Sequence, residues 1–283
     1  MNAIEVKNVS KHYAGFSLQD VTLCLPRGTV LGLVGENGAG KSTLIKLIMN
    51  ATGRDGGSIR VLGVDNESME FDAVKEDIGV VLDEAYYPES LTAAKLNTVM
   101  KYTYKNWDEE CYRRYLHLLN LPDNKAFKDF SRGMKMKLAI SVALSHKAKL
   151  LVLDEATSGL DPMIRDEILD VFHDFIREDD HSILLSSHIV SDLEKVCDYI
   201  AFLHNGKLQF CEEKDVLLEQ YAVIKLSHED FEAMDEEAII SVKKTEYGVE
   251  ALVKKSAIPT GFSVEHTTLE NIILFFAKGE KNR

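Results

Sequence analysis

The feature that most restricts the fold is the octapeptide Gly35-Glu36-Asn37-Gly38-Ala39-Gly40-Lys41-Ser42, set between an apolar run and a helical pattern. The run before it, Thr29-Val30-Leu31-Gly32-Leu33-Val34, has the unbroken apolarity of a strand buried on both faces. After it, Thr43-Leu44-Ile45-Lys46-Leu47-Ile48 reads as a helix. A buried strand therefore turns through glycines into a helix, the context in which G-x-x-x-x-G-K-[ST] has physical meaning. A chain of this length meets the spacing by chance about one time in a hundred. The glycines let backbone N–H groups turn inward around phosphate oxygens, and the helix N-terminus adds its dipole. Lys41 is placed to reach β- and γ-phosphates, and the Ser42 hydroxyl to bind Mg²⁺. The expected binding residues are Gly35, Asn37, Gly38, Ala39, Gly40, Lys41, Ser42 and Thr43.

A strand buried on both faces needs neighbours of the same kind, and similar runs recur at 78–82, 150–153, 182–186 and 199–203. Between two of them, Ile164, Ile168, Val171, Phe172, Phe175 and Ile176 share one helical face. Alternating buried strands and amphipathic helices predict a layered α/β domain. Residues 4–9 and 16–25 instead alternate apolar and polar, as half-buried strands do, and predict an N-terminal antiparallel β subdomain. Residues 84–148 carry helical stripes such as Tyr112, Tyr115, Leu116 and Leu119, predicting an inserted helical lobe whose aromatics serve the core. Past residue 215 the texture changes to short strand-like pieces (222–226, 239–243, 248–253) and a last helix near 268–277. The expected organisation is a main domain over 1–215 and a small α+β appendage over 216–283.

Composition narrows the partners. The 283 residues are 45% hydrophobic and 28% charged, ordinary for a soluble globular chain with a real core. With 33 Lys+Arg against 46 Asp+Glu the formal charge is −13, which opposes nucleic acid and anionic lipid. No Lys/Arg run exceeds two, so no nucleic-acid partner is expected. No apolar stretch approaches the roughly 20 residues of a membrane span, and Met1–Ser10 alternates rather than forming a signal peptide. Cys24, Cys111, Cys197 and Cys211 are scattered, which fits a reducing compartment and not structural zinc.

Two further elements carry chemistry. Leu150-Leu151-Val152-Leu153 ends in Asp154-Glu155. Asp154 is expected to hold Mg²⁺, directly or through water, and Glu155 to polarise a water for attack on a γ-phosphate. Two acids after a strand are often merely solvated; the glycine cradle gives this pair its weight. Ser186-Ser187-His188 follows another apolar strand, where a His can contact a γ-phosphate or be a partly buried structural group.

Cradle, acidic pair and His on one α/β core, with a helical lobe between the first two, resemble the ATP-binding subunit of ABC transporters, a P-loop NTPase. The specific segment is Phe130-Ser131-Arg132-Gly133-Met134-Lys135, a divergent form of that family's LSGGQ signature in which Ser131 and Gly133 match. Ser131 can cap the following helix, whose start suits a γ-phosphate. Ser158-Gly159-Leu160-Asp161 matches the family's D-loop, Tyr13 sits where a family aromatic stacks on adenine, and His188 matches the switch histidine. The resemblance covers residues 1 to about 215. It departs at one position: reading Ile78-Gly79-Val80-Val81-Leu82-Asp83-Glu84 against the pattern puts Asp83 where the family places a Mg²⁺-sensing Gln. A carboxylate can ligate Mg²⁺, and it adds negative charge beside the phosphates.

The resemblance implies ATP and Mg²⁺ as ligands and a second nucleotide-binding subunit, in a homodimer or related heterodimer, with the signature of one chain over the cradle of the other. It implies a separate transmembrane permease subunit, placing the chain at the cytoplasmic face of the cell membrane. The signature, short lobe and C-terminal extension look like bacterial ABC-2-type exporter subunits. Competing readings are a soluble ABC-type ATPase or a slow ATP-gated switch. Ribosome-associated members typically carry two cradles in one chain, and here there is one. DNA-repair members carry a long coiled-coil insertion, whereas Ser131 follows Lys41 by only 90 residues. The C-terminal piece is open to three roles: extending a dimer contact, binding a regulator, or stabilising.

Overall fold

The computed structural model describes residues 1–83, 86–245, 248–258, 264 and 266–279. They form two compact units, Met1–Leu208 and Gln209–Arg283.

The first unit opens with a hairpin of β1 (Asn2–Tyr13) and β2 (Phe16–Pro26). Then come β3 (Val30–Val34), α1 (Lys41–Ile48), β4 (Gly56–Val61), β5 (Val64–Asp65), α2 (Phe71–Val74) and β6 (Ile78–Val81). Three helices follow, α3 (Ala93–Thr103), α4 (Glu109–Leu118) and α5 (Arg132–Ala143). The remainder is β7 (Leu150–Asp154), α6 (Pro162–Phe175), β8 (Ser182–Ser187), α7 (Val190–Val196), β9 (Tyr199–His204) and β10 (Lys207–Glu213). The strand order among the described residues is β5-β4-β1-β2-β10-β9-β3-β8-β7-β6. One end, β5-β4-β1-β2, is antiparallel. The other, β9-β3-β8-β7-β6, is parallel. β10 enters the sheet where Lys207 pairs with Gln19. The layered α/β core and the N-terminal antiparallel part expected from the sequence are both present.

β3, β7 and β8 are buried at every residue, their apolar residues and the polar Asp154, Ser182, Ser186 and Ser187 alike. Their register decides the site. Val34 pairs with Ser187, Asp154 with Ser186, and Val81 with Leu153. Parallel strands all end on one edge, so the loops carrying Gly40, Asp83, Glu155 and His188 leave the sheet together. β4 and β5 escape the sequence reading because Gly56-Gly57 looks like a turn and only Ile59 and Val61 are buried in β4.

Between β6 and β7 the helices are capped by side chains: Thr92 accepts from Lys95 N, Asp108 from Cys111 N and Ser131 from Met134 N. Tyr112, Leu116 and Leu119 are buried, so this stripe serves packing, and the Tyr112 hydroxyl donates to Ala93 O at 3.1 Å. α6 is tied to α7 by an ion pair between Arg165 and the buried Asp192, which fixes the helix that follows His188.

The second unit contains α8 (Lys214–Gln220), β11 (Tyr221–Leu226), α9 (His228–Ala233), β12 (Ile239–Thr245), β13 (Gly248–Lys254) and α10 (Leu269–Lys278). Its strands pair antiparallel in the order β11-β13-β12 around Ile224, Val242, Ala251 and Val253. α10 starts on a reciprocal cap between Thr268 and Asn271 and buries Leu269, Ile272, Ile273 and Phe275. The sequence texture puts the division at 215/216, whereas the compact units divide at 208/209. The Phe210 ring lies 5.0 Å from that of Phe276, so the polar second half of β10 already belongs with α10. Among the described residues, no helix is long and apolar enough to cross a membrane.

Candidate active site

The cradle is built by the turn from β3 into α1. Gly40 is the N-cap of α1 with φ 110°, a left-handed backbone that glycine alone adopts freely. A Cβ there would also lie 2.8 Å from Cζ of Phe16. Lys41 is only 6% exposed, and its ammonium donates to Gly35 O at 2.7 Å and Glu36 O at 3.4 Å. It also pairs with Glu155 Oε1 at 3.1 Å. A buried ammonium needs such partners, since burying an unpaired charge is costly.

β7 delivers the acids. Asp154 is 4% exposed, and its Oδ1 accepts the Ser186 hydroxyl at 2.6 Å. Glu155 has φ 53°, in the left-handed region that non-glycine residues avoid. Its N–H donates to Ser186 O at 3.0 Å, holding the chain in that turn. The strain re-aims the side chain: Glu155 lines the cradle, where its Oε2 accepts from His188 Nδ1 at 2.7 Å. Because a carboxylate only accepts, Nδ1 carries the proton and Nε2 is left for another partner. Lys41, Glu155 and His188 thus form one chain of contacts across two loops.

The cavity above Lys41 has a volume of about 560 Å³. Its lining is Gly15, Phe16, Glu36, Asn37, Gly38, Gly40, Lys41, Ser42, Thr43, Asp83 and Glu155. Asp83, from the end of β6, therefore faces the same space as Ser42 and Glu155; Glu84 lies outside the described residues. Ser42 and Asp83 line this space and Asp154, the residue before Glu155, does not; all three offer hard oxygens of the kind Mg²⁺ takes. Gly15 and Phe16 are lining residues that sequence reasoning missed. Their only signal is a turn glycine beside the aromatic of a hairpin.

Several expected residues are not among that lining. Tyr13, at the end of β1 opposite Phe16, is 46% exposed with the Lys11 ammonium 5.6 Å over its ring. Ser131 is the exposed cap of α5. Gly133 is buried, and a Cβ on it would lie 2.7 Å from Ile164 Cδ1 on α6. Asp161 caps α6 by accepting from Ile164 N at 3.1 Å. Signature and D-loop residues sit side by side at the starts of α5 and α6, and none of them lines the cradle of their own chain.

Residues 18–158 match the ABC transporter family model. The lantibiotic transport ATP-binding protein SrtF of Streptococcus pyogenes is 34% identical over 215 residues, 75% of this chain and 91% of that protein. The chain belongs to the ABC transporter family. The bacitracin transport ATP-binding protein BcrA of Enterococcus faecalis is 26% identical over 99% of this chain and 87% of its own length. A solved structure of the ATP binding subunit of an ABC transporter superposes with a TM-score of 0.69 at 29% identity, covering 76% of this chain and 91% of that one. As an ABC protein the chain has the P-loop NTPase fold, binds ATP and is an ATPase, and its glycine loop and acidic strand end fall within the matched residues.

Proposed function

We propose that this chain is the ATP-hydrolysing subunit of a bacterial ABC-2-type exporter, working at the cytoplasmic face of the cell membrane on a separate transmembrane permease subunit. The observation that carries the reading is the contact chain Lys41–Glu155–His188 at the mouth of a cradle whose own chain leaves Ser131 and Gly133 elsewhere. A cradle lacking a signature is half a site, and a second nucleotide-binding subunit, identical or related, supplies the rest. Two such chains clasp two ATP molecules head to tail, an arrangement with two-fold or pseudo-two-fold symmetry. The likeness to SrtF and BcrA supports the exporter subclass.

With ATP in the cradle, the Lys41 ammonium exchanges Glu155 and the loop carbonyls for phosphate oxygens. Glu155, released on that side and held by His188 on the other, accepts a proton from the attacking water. Ser42, Asp154 and Asp83 would hold Mg²⁺, whose charge offsets that of the phosphates. Loss of the γ-phosphate weakens the clasp, and the opening drives the permease. Asp83 also favours a second reading, a slow ATP-gated switch, because a carboxylate there adds negative charge beside the nucleotide.

Glu155→Gln tests the assignment. The amide keeps shape but accepts a proton poorly, so turnover falls by about 10²–10⁴-fold while ATP still holds the dimer closed. The check is ATPase rate and ATP-dependent dimerisation on one sample. Near-normal hydrolysis by the variant refutes Glu155 as base, and slow hydrolysis by the native chain in the presence of its permease selects the switch.

A further inference from the structure

We propose that Arg132 is a positioning residue for hydrolysis: its guanidinium lies against Gly159 and holds the loop that joins Glu155 to α6. The inference rests on the reading of Glu155 as the base.

Three contacts align the start of α5 with the segment after Glu155. A Cβ placed on Gly159 would lie 2.6 Å from Arg132 Nη1, 2.9 Å from Cζ and 3.3 Å from Nη2, so the planar group covers that glycine. One residue on, Gly133 meets Ile164 so closely that a Cβ would stand 2.7 Å from its Cδ1. One turn on, Lys137 Nζ reaches Glu167 Oε2 at 2.6 Å. α5 and α6 thus lie in a fixed register from their first residues. The loop between has both ends anchored: Glu155 N–H donates to Ser186 O at 3.0 Å, and Asp161 caps α6. Ser158 N–H donates back to Glu155 O at 3.0 Å, so displacement of the loop middle reaches the base through one hydrogen bond. Arg132 presses on that middle.

The contact is made by shape. Among the described residues no hydrogen bond or ion pair holds the Arg132 guanidinium, and a cation in the first turn of a helix is disfavoured by the dipole. Gly159 has φ 67° and no side chain, the one residue type that gives both the turn and the room. Where the family pattern places a glycine at 132, the loop has no such support, and this chain substitutes a long planar side chain for it.

The test compares Arg132→Ala, Arg132→Gln and Arg132→Lys in the full-length protein, by steady-state ATP hydrolysis and by amide hydrogen exchange over Ser158–Leu160 without nucleotide. Arg132→Ala lowers kcat by about 10-fold with KM for ATP unchanged, and loop exchange accelerates. Gln, flat and uncharged, keeps more of both than Ala, and across the series kcat follows loop protection whatever the charge. The proposal is overturned if kcat falls while loop exchange stays at the native rate, if Lys restores kcat and Gln does not, or if Ala leaves both unchanged. Glu155→Gln serves as the control. Normal turnover by that variant would remove the base assignment, while loop exchange would still report whether Arg132 holds the loop.

Discussion

Asp83 stands where the family resemblance predicts a Gln, and it lines one cavity with Ser42 and Glu155. A carboxylate in place of an amide strengthens the hold on a divalent ion and opposes a bare triphosphate. Asp83→Asn keeps the volume and removes the charge, so half-maximal ATPase activity moves to higher Mg²⁺, by about 10-fold or more, and the maximal rate falls. Rate against Mg²⁺ for the two proteins checks this, and superimposable curves would return Asp83 to the solvated surface acids, whose changes cost under about 0.5 kcal/mol. The position of Asp83 was legible because it ends an apolar run. The positions of Gly15 and Phe16 were not, because their part in the cavity depends on a hairpin folding back over Gly40, a contact between segments distant in sequence.

At the scale of elements, the pattern of apolar residues located the buried strands, the half-buried hairpin of β1 and β2, and the last helix. β3 and β7 announce themselves as apolar runs and β8 by its Ile183-Leu184-Leu185 centre, and their common edge follows from parallel pairing. β10 does not, since Lys207-Leu208-Gln209-Phe210-Cys211-Glu212-Glu213 buries no residue fully and takes its structure from its partners. His146, just past α5, staples that helix to the turn before β6. Its ring is fully buried and stacked on Tyr104 at 4.0 Å, and Nδ1–H donates to Glu76 O at 3.0 Å. Nε2 is buried without a partner, and burial holds the pKa below the ordinary value. The unfolded chain titrates near the ordinary value of about 6.5, so below that pH it binds protons that the folded chain refuses. Stability from this group is level above about pH 6.5 and declines on acidification, by at most about 1.4 kcal/mol per pH unit. His146→Gln keeps the N–H donor and does not titrate. Urea midpoints between pH 7.5 and 5.5 should therefore fall less steeply for the variant, and equal slopes would show that acid acts elsewhere.

The whole molecule poses the question of whether a second chain completes the site. Gly133 is a poor place to probe it, because any side chain there meets Ile164 within the same chain. Ser131 is better: it is exposed, and Asp caps a helix as well as Ser does while adding a charge that repels a γ-phosphate. Ser131→Asp chains mixed with Lys41→Ala chains give dimers with one intact composite site if the signature acts across the interface, and none if it acts within a chain. One tightly held ATP per mixed dimer is the expected stoichiometry, measured by equilibrium binding. Zero, or two equal sites, would overturn the arrangement across chains.

The left-handed turn at Glu155 has an evolutionary reading. Asn or Gly would occupy that backbone with less strain, so if Glu155 is the base, the residue that makes the firmest protein at this position is not the one that serves the reaction. Selection for a sturdy fold and selection for hydrolysis pull in opposite directions at a single codon. In a lineage that needed only to grip nucleotide, drift would carry this position toward the relaxed residue.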